Sequence, residues 1–162
     1  MANKHEIPAE MRVVDIDAMD ASEISSVLQR VGYGHLGCAK ENRPYVVPIH
    51  YVYAPPDFYI YTTRGMKTEF ICSNPEVCLQ VEEVRDARNW TSIVVMGRAE
   101  LLTDSGDREN ATKLITLINP SLTPAISRTA IGASVRGNVV EIYRIKLHIM
   151  SGRKTRTVSD RD

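Results

Sequence analysis

The sequence predicts a mainly β protein of the α+β class, with an antiparallel sheet that closes fully or partly into a barrel. Short β-rich segments separated by turn residues fill most of residues 33–102 and recur near residue 140. The turns at 41–44 and 54–57 are short enough for hairpins, so consecutive strands should pair antiparallel. Two or three helices interrupt the strands, and closure is the simplest way to remove exposed sheet edges.

The first predicted helix follows an N-terminal arm, residues 1–12, which has no periodicity and is expected to be loosely held. Asp20 and Glu23 have the spacing of a capping box, and apolar residues then recur at helical intervals. Gly32 is a typical residue for the end of a helix.

Six strands are predicted after this helix. They cover residues 33–39, 45–53, 58–62, 77–84, 91–102 and 138–150. The last strand alternates apolar and polar residues only imperfectly, and residues 151–162 after it are expected to be an exposed tail.

Two further helices lie between these strands. The shorter covers residues 66–73 and is closed by Asn74-Pro75, because a residue before proline disfavours the helical conformation. The longer begins near Ser105 and ends before Asn119-Pro120. Residues 119–136 are expected to form a loop.

Composition narrows the class of protein. The 162 residues are 43% hydrophobic, with 20 basic and 20 acidic side chains, which fits a single domain covering residues 1–162. The zero net charge does not favour nucleic-acid binding, and no apolar run approaches membrane-spanning length. Three cysteines without a leader pattern favour free thiols and a cytoplasmic location.

Two familiar kinds of site are not supported. Residues 32–37, Gly-Tyr-Gly-His-Leu-Gly, have the spacing of a dinucleotide-binding fingerprint, but they follow a helix and open a strand, the reverse of what that fingerprint needs. Helix termination and tight entry into a strand explain these glycines. No histidine or cysteine pair has the spacing of metal ligands, so no metal is expected.

Residues 61–68, Tyr-Thr-Thr-Arg-Gly-Met-Lys-Thr, form the densest group of anion-binding side chains in the chain. Hydroxyls, a guanidinium and an ammonium gather where a helix begins, and a helix N-terminus adds free N–H groups and the positive end of its dipole. Gly65 would let a phosphate approach the backbone closely. The alternative interpretation is a solvated turn with a charged helix start.

The flanking motifs extend this interpretation. Val-Val-Pro-Ile-His-Tyr at 46–51, Tyr-Thr at 61–62, Gly-Met-Lys at 65–67, Asn-Pro at 74–75 and Gly-Arg-Ala-Glu at 97–100 occur in one order. Together they resemble the pyridoxamine 5'-phosphate oxidase-like family of FMN-binding split barrels, and most of all its nitroimidazole-reductase-like branch. The resemblance implies a six-stranded antiparallel split β-barrel with peripheral helices.

The resemblance also implies a cofactor and a site. Two copies would pack as a homodimer with FMN in clefts at the interface. Along the isoalloxazine ring would lie Val47, Pro48, Ile49 and His50, and beside the ribityl chain Tyr61 and Thr62. The phosphate loop would contain Thr63, Arg64, Met66 and Lys67, while Ser92 and Trp90 would come from the second subunit.

Two of these residues carry open alternatives. His50 is the candidate catalytic residue, because imidazole can deliver a proton near neutral pH, but it can equally be a hydrogen-bonded histidine at the dimer seam. Trp90 can stack on the ring or simply pack at the interface.

Departures from the family pattern limit the expected activity. Oxidases of the family commonly have arginines at the positions of Tyr45 and Met66, so the phosphate meets fewer cations here. Their C-terminal pyridoxal-phosphate motif is not visible in residues 134–162, which argues against vitamin B6 oxidation. The leading hypothesis is an FMN-dependent oxidoreductase that reduces a small nitroaromatic or quinone. The alternatives are a barrel using deazaflavin, haem or biliverdin, and a non-catalytic flavin-binding or stress module.

Overall fold

The computed structural model describes residues 14–120 and 139–156, which contain eight strands and three helices. In chain order they are β1 (Asp15–Ala18), α1 (Ala21–Val31), β2 (Tyr33–Lys40), β3 (Arg43–His50), β4 (Val52–Ala54), β5 (Asp57–Thr63), α2 (Met66–Ser73), β6 (Glu76–Asp86), β7 (Asn89–Leu101), α3 (Ser105–Ile118) and β8 (Val140–Arg156).

All strands belong to one antiparallel sheet in the order β3-β2-β6-β7-β8-β5-β4, and β1 pairs with β8. Strands β3 and β4 stand at opposite ends of this order although only Tyr51 separates them along the chain. The two ends of the sheet therefore approach each other at Tyr51 without forming a ladder. This is a split barrel with helices around it, and the predicted fold class is confirmed.

Tyr51 is also the residue that corrects one predicted strand. The sequence predicted a continuous strand over 45–53, but the chain bends at Tyr51, whose ring is 1% exposed and whose hydroxyl donates to the Leu28 carbonyl at 3.0 Å. Its N–H donates to the Gly32 carbonyl at 3.0 Å. These bonds to α1 and its end take the place of a ladder bond at the bend.

Helix α1 begins and ends as predicted. The Asp20 side chain accepts from the Glu23 N–H at 2.9 Å, and the Glu23 side chain accepts from the Asp20 N–H at 3.0 Å, which completes the capping box. Gly32 ends the helix with a φ of 62°, in the left-handed region that glycine adopts without strain.

Other boundaries differ from prediction. Strand β1 was not predicted, and β8 continues past residue 150 to Arg156, so the first half of the predicted exposed tail is paired with β1 and β7. The predicted arm 1–12, residues 157–162 and all but the first two residues of the predicted loop 119–136 lie outside the described residues.

Two apolar clusters explain the imperfect alternation of β8. Tyr143 and Ile145 face the main core inside the barrel, whereas Ile142 packs on the other side, in a smaller cluster beneath α3. The start of β8 is thus buried on both faces, which weakens any period-2 pattern. None of the helices described here has the length and apolar character needed to cross a membrane.

Candidate functional site

The loop between β5 and α2 is fixed by one buried hydroxyl. The Gly65 N–H donates to Thr68 Oγ1 at 3.0 Å, and Thr68 Oγ1 donates to the Gly65 carbonyl at 2.9 Å. Thr68 is 6% exposed, so this contact is shielded from water. It places the first N–H groups of α2, which have no intrahelical acceptor, at a defined position beside the loop.

Space is open above Gly65. Its φ of 173° is extended backbone, and, apart from its two chain neighbours, no atom of the described residues lies within 4 Å of a Cβ built there. Arg64 and Lys67 lie on either side of this position in the chain. A tetrahedral anion could therefore approach the loop backbone without displacing a described residue.

Arg64 is held by a buried carboxylate. Its Nε donates to Glu141 Oε1 at 2.5 Å, and the Tyr143 hydroxyl donates to Glu141 Oε2 at 2.9 Å. The hydrogen bond and charge of Glu141 raise the pKa of Arg64, so this guanidinium stays charged. Burial, reinforced by the Glu141 hydrogen bond, raises the pKa of Tyr143 and keeps its phenol protonated.

Lys67 is half-buried, and its Nζ donates to the Thr63 carbonyl at 3.4 Å. Burial lowers the pKa of Lys67, while the nearby Cys38 and Glu141 partly offset that effect. Burial also raises the pKa of the Cys38 thiol, so Cys38 stays neutral. A partly desolvated ammonium gains more from an added anion than a fully exposed one does.

These groups fit a phosphate ester by their chemistry. The guanidinium of Arg64 and the ammonium of Lys67 supply charge, and the start of α2 supplies backbone donors. Met66 is exposed and adds no charge, as the sequence indicated. Thr63 provides its carbonyl to Lys67 and ends β5 opposite Val140.

Strand β3 lies next to this loop. The ring of Tyr45 on β3 is 5.6 Å from that of Phe70 on α2. Among the described strands β3 pairs only with β2, so the main-chain groups along its other edge have no ladder partner. Along the predicted ring-binding run, Val47 and Ile49 turn toward the core, while Pro48 and His50 are exposed.

Tyr61 and Thr62 face opposite sides of β5. Thr62 is 6% exposed and lies opposite Glu141 on β8, whereas Tyr61 packs against the cluster beneath α3. Both were expected to flank one ribityl chain. Because the two side chains point apart, one ligand chain can contact only one of them through its side chain.

The outer face of the sheet exposes several large apolar side chains among polar ones. One cross-strand row, in which residues directly opposite share a face, runs through Val46, Gly37, Cys78, Met96 and Ile149. Tyr33 and Val84 lie on the same side of their strands. Five large side chains on this outer face are more than 40% exposed: Tyr33, Val46, Val84, Met96 and Ile149.

His50 and Ser92 both lie on the outer face. The rings of Tyr33 and His50 are 5.3 Å apart in an edge-on arrangement. Farther along the sheet, Gln80 Nε2 donates to Ser92 Oγ at 3.4 Å. Ser92 on β7 is three strand spacings from β3, or about 14 Å, so it does not contact the β3 edge of its own chain.

Trp90 is the second residue of β7 and lies close to Ser92. Its N–H donates to Thr155 Oγ1 at 3.0 Å, and the same hydroxyl donates to the Trp90 carbonyl at 3.2 Å. Thr155 belongs to the part of β8 that was predicted as tail. The predicted site residues thus form two groups within one chain: the loop with β3 and β5, and the start of β7.

A cleft of about 770 Å³ opens beside the loop, where Arg64 and Thr68 line it. Arg64 is the one predicted site residue that lines it, together with Glu141 and Tyr143 of β8 and the exposed Cys72 of α2. Sequence reasoning missed Glu141. The available signal was an acidic residue between two apolar ones in a strand whose alternation was irregular. Within residues 14–120 and 139–156, no three His, Cys, Asp or Glu side chains gather as a metal site would require.

The fold is a split antiparallel barrel, and the loop between the end of β5 and the short helix α2 carries an arginine, a glycine and a lysine. The chain belongs to the pyridoxamine 5'-phosphate oxidase family, whose model matches residues 20–154. The family resemblance seen in the motifs is confirmed.

Three comparisons illustrate this relationship. The chain is 29% identical to a FAD-binding protein from Mesorhizobium loti, with a TM-score of 0.72, over 90% of this chain and 100% of that one. A proposed 5-nitroimidazole antibiotic resistance protein from Bacteroides thetaiotaomicron shares the fold at 20% identity and a TM-score of 0.68, over 89% of this chain and 90% of that one. An uncharacterized protein of Rhizobium meliloti is 33% identical over 87 residues, which is 54% of this chain and 58% of that protein.

Proposed function

We propose that this chain is a flavoprotein that binds FMN, with the terminal phosphate at the loop formed by residues 63–67. The observation that carries the proposal is the open space at Gly65, in a loop segment that also carries Arg64 and the half-buried Lys67. A phosphate monoester carries a charge of about −1.5 to −2. Arg64, Lys67 and the helix N-terminus would offset most of this charge even after the negative charge of Glu141 is counted. The name of the Mesorhizobium loti relative, a FAD-binding protein, favours a flavin over other phosphate esters.

The ring would lie along β3. Among the described strands, residues 47–50 pair only with β2, and every second residue of an antiparallel strand directs its main-chain groups away from its partner. These outward groups would be available to the polar side of an isoalloxazine ring. One of the two residues Tyr61 and Thr62 would contact the ribityl chain through its side chain, because the two side chains lie on opposite faces of β5. When bound, the flavin would supply hydride or electron transfer, while the chain orients it and controls access of water.

The second half of the site would come from a second copy. The outer face exposes five large apolar side chains, which is typical of a surface that packs against another protein. Pairing two such faces in a homodimer would bury them and bring Ser92 and Trp90 of one copy toward the β3 edge of the other. His50 lies on this same face, beside Tyr33.

The activity we propose is reduction of a small electron acceptor, such as a nitroaromatic or a quinone. His50 is exposed and next to the proposed ring position, so its imidazole could exchange a proton with the acceptor. A flavin store or sensor without turnover would use the same loop and the same face, and the two functions differ only in whether an electron donor reduces the bound flavin.

FAD is a second candidate cofactor for one structural reason. The cleft of about 770 Å³ begins at Arg64, where the FMN phosphate would end, and it has room for an adenylate group. The name of the Mesorhizobium loti relative is consistent with that extension.

The test is to purify the untagged protein and identify any small molecule released on denaturation by mass spectrometry. FMN with a flavin absorbance spectrum supports the proposal, and FAD supports the second candidate. A sharp intense band at the violet edge would indicate haem, and a deazaflavin mass would indicate that cofactor; either result refutes the FMN assignment. Anaerobic addition of reduced nicotinamide then separates an enzyme, whose yellow colour bleaches, from a store, whose colour persists.

A further inference from the structure

Glu141 is a buried acid at a site built to attract an anion. Only 7% of its side chain is exposed, and both of its oxygens are occupied, one by Arg64 at 2.5 Å and one by Tyr143 at 2.9 Å. An ion pair with a buried carboxylate is weak evidence of stabilisation, because desolvation of the carboxylate opposes the attraction between the two charges. A negative charge beside a phosphate site therefore calls for a reason other than stability.

We propose that Glu141 is a positioning residue for the phosphate, acting through Arg64. This inference rests on the proposed binding of FMN. The Arg64 side chain is 57% exposed and follows the last residue of β5, so without a partner it would sample many rotamers. The bond at Nε holds the guanidinium plane against β8 and leaves its two Nη groups as donors to the ligand.

Two effects of Glu141 on phosphate binding oppose each other. Its charge repels the phosphate, so repulsion alone predicts that Glu141→Gln tightens FMN binding. Its hydrogen bond to Arg64 predicts the reverse, that Glu141→Gln weakens FMN binding. The guanidinium of Arg64 offsets the charge that Glu141 presents to the phosphate, whereas loss of the contact frees a long, 57% exposed side chain, so positioning should dominate.

The test compares FMN with riboflavin, which lacks the phosphate. Dissociation constants of both flavins are measured for the ligand-free wild type, Arg64→Ala, Glu141→Ala and the double variant. Arg64→Ala should weaken FMN binding about tenfold or more, as expected for loss of a charge-assisted hydrogen bond, and leave riboflavin binding nearly unchanged. Glu141→Ala should reproduce most of that loss, and in the Arg64→Ala background it should cause no further loss.

Two further variants test whether a loss of FMN binding reflects misfolding or a general effect of removing a carboxylate that binds an arginine. Glu141→Gln keeps the shape and an oxygen that can accept from Arg64, so it should fold and show a smaller, FMN-specific loss. Glu100→Gln is the matched control. Glu100, like Glu141, accepts a hydrogen bond from an arginine, in this case Arg144 at 3.1 Å, but this pair is not part of the loop. The control variant should leave the ratio of the two affinities unchanged. Thermal unfolding of each variant checks the fold.

Three outcomes overturn the inference. Glu141→Gln could tighten FMN binding, which would make the residue a source of repulsion. Glu141→Ala could weaken FMN binding equally with and without Arg64, which would exclude an action through that side chain. A wild type that binds FMN no better than riboflavin would refute the phosphate site itself, and the proposed function would fail together with this inference.

Discussion

Replacing Lys67 by methionine removes a half-buried charge and keeps a side chain of similar length. Its ammonium has one described hydrogen-bond acceptor, the Thr63 carbonyl at 3.4 Å, so it can turn to a phosphate at little cost. A hydrogen bond to a charged group contributes about 1.5–3 kcal/mol, and each 1.4 kcal/mol is about a tenfold change in affinity. Lys67→Met should therefore weaken FMN binding by about 10- to 150-fold.

The assay is fluorescence titration of the ligand-free protein with FMN, with riboflavin as the control ligand. Riboflavin affinity should stay within a factor of about two, because only the phosphate contact is lost. If FMN affinity does not change in a folded Lys67→Met variant, the phosphate is not bound at this loop. If both flavins weaken equally, Lys67 supports the fold or the ring rather than the phosphate.

The same substitution should stabilise the ligand-free protein. Burial lowers the pKa of Lys67, so the unfolded chain binds this proton more tightly than the folded one, and the folded state is penalised while the amine is charged. The free energy of unfolding of the wild type should rise with pH between the lowered pKa and 10.5, the ordinary value for lysine. Lys67→Met should lack that rise and have the higher unfolding midpoint at pH 7, measured by thermal denaturation.

Further predictions concern two glycines of β2, the loop and the outer face. Gly34→Ala places a Cβ 2.5 Å from the Gln80 carbonyl and should lower the unfolding midpoint sharply, whereas Gly37→Ala meets nothing closer than 3.5 Å and should be tolerated. Gly65→Ala should leave the unfolding midpoint unchanged but weaken FMN binding, since its methyl group enters the open space. Met96→Glu should shift the protein from dimer to monomer in size-exclusion chromatography with light scattering; a wild-type monomer would contradict the proposed interface.

Local signals in the sequence were sufficient for most of the fold. The capping box of Asp20 and Glu23 and the helix-ending Gly32 act within a few residues, so their effect is readable from the chain alone. The bend at Tyr51 was not readable, because it depends on a hydrogen bond to Leu28, 23 residues away in sequence. Strand β1 was missed for a similar reason, since a four-residue strand is defined by its pairing with β8 rather than by its own pattern.

The candidate site was predictable only in part. Arg64 and Lys67 were predicted as site residues because a helix start, a glycine and two cations occur within four residues. Glu141 lies 77 residues from Arg64 along the chain, and only the pairing of β5 with β8 brings the two together. Sequence motifs locate groups that one segment carries, whereas the partners that hold those groups come from the topology.

One edge of β3 has no ladder partner among the described strands, and this has a consequence for solubility. An edge strand without a ladder partner can template growth by strands of other molecules, and aggregation then follows. Pro44 and Pro48 both lie on β3, and proline has no N–H to offer an incoming strand. Replacing both prolines by alanine should therefore promote fibril-like aggregation through the edge of β3.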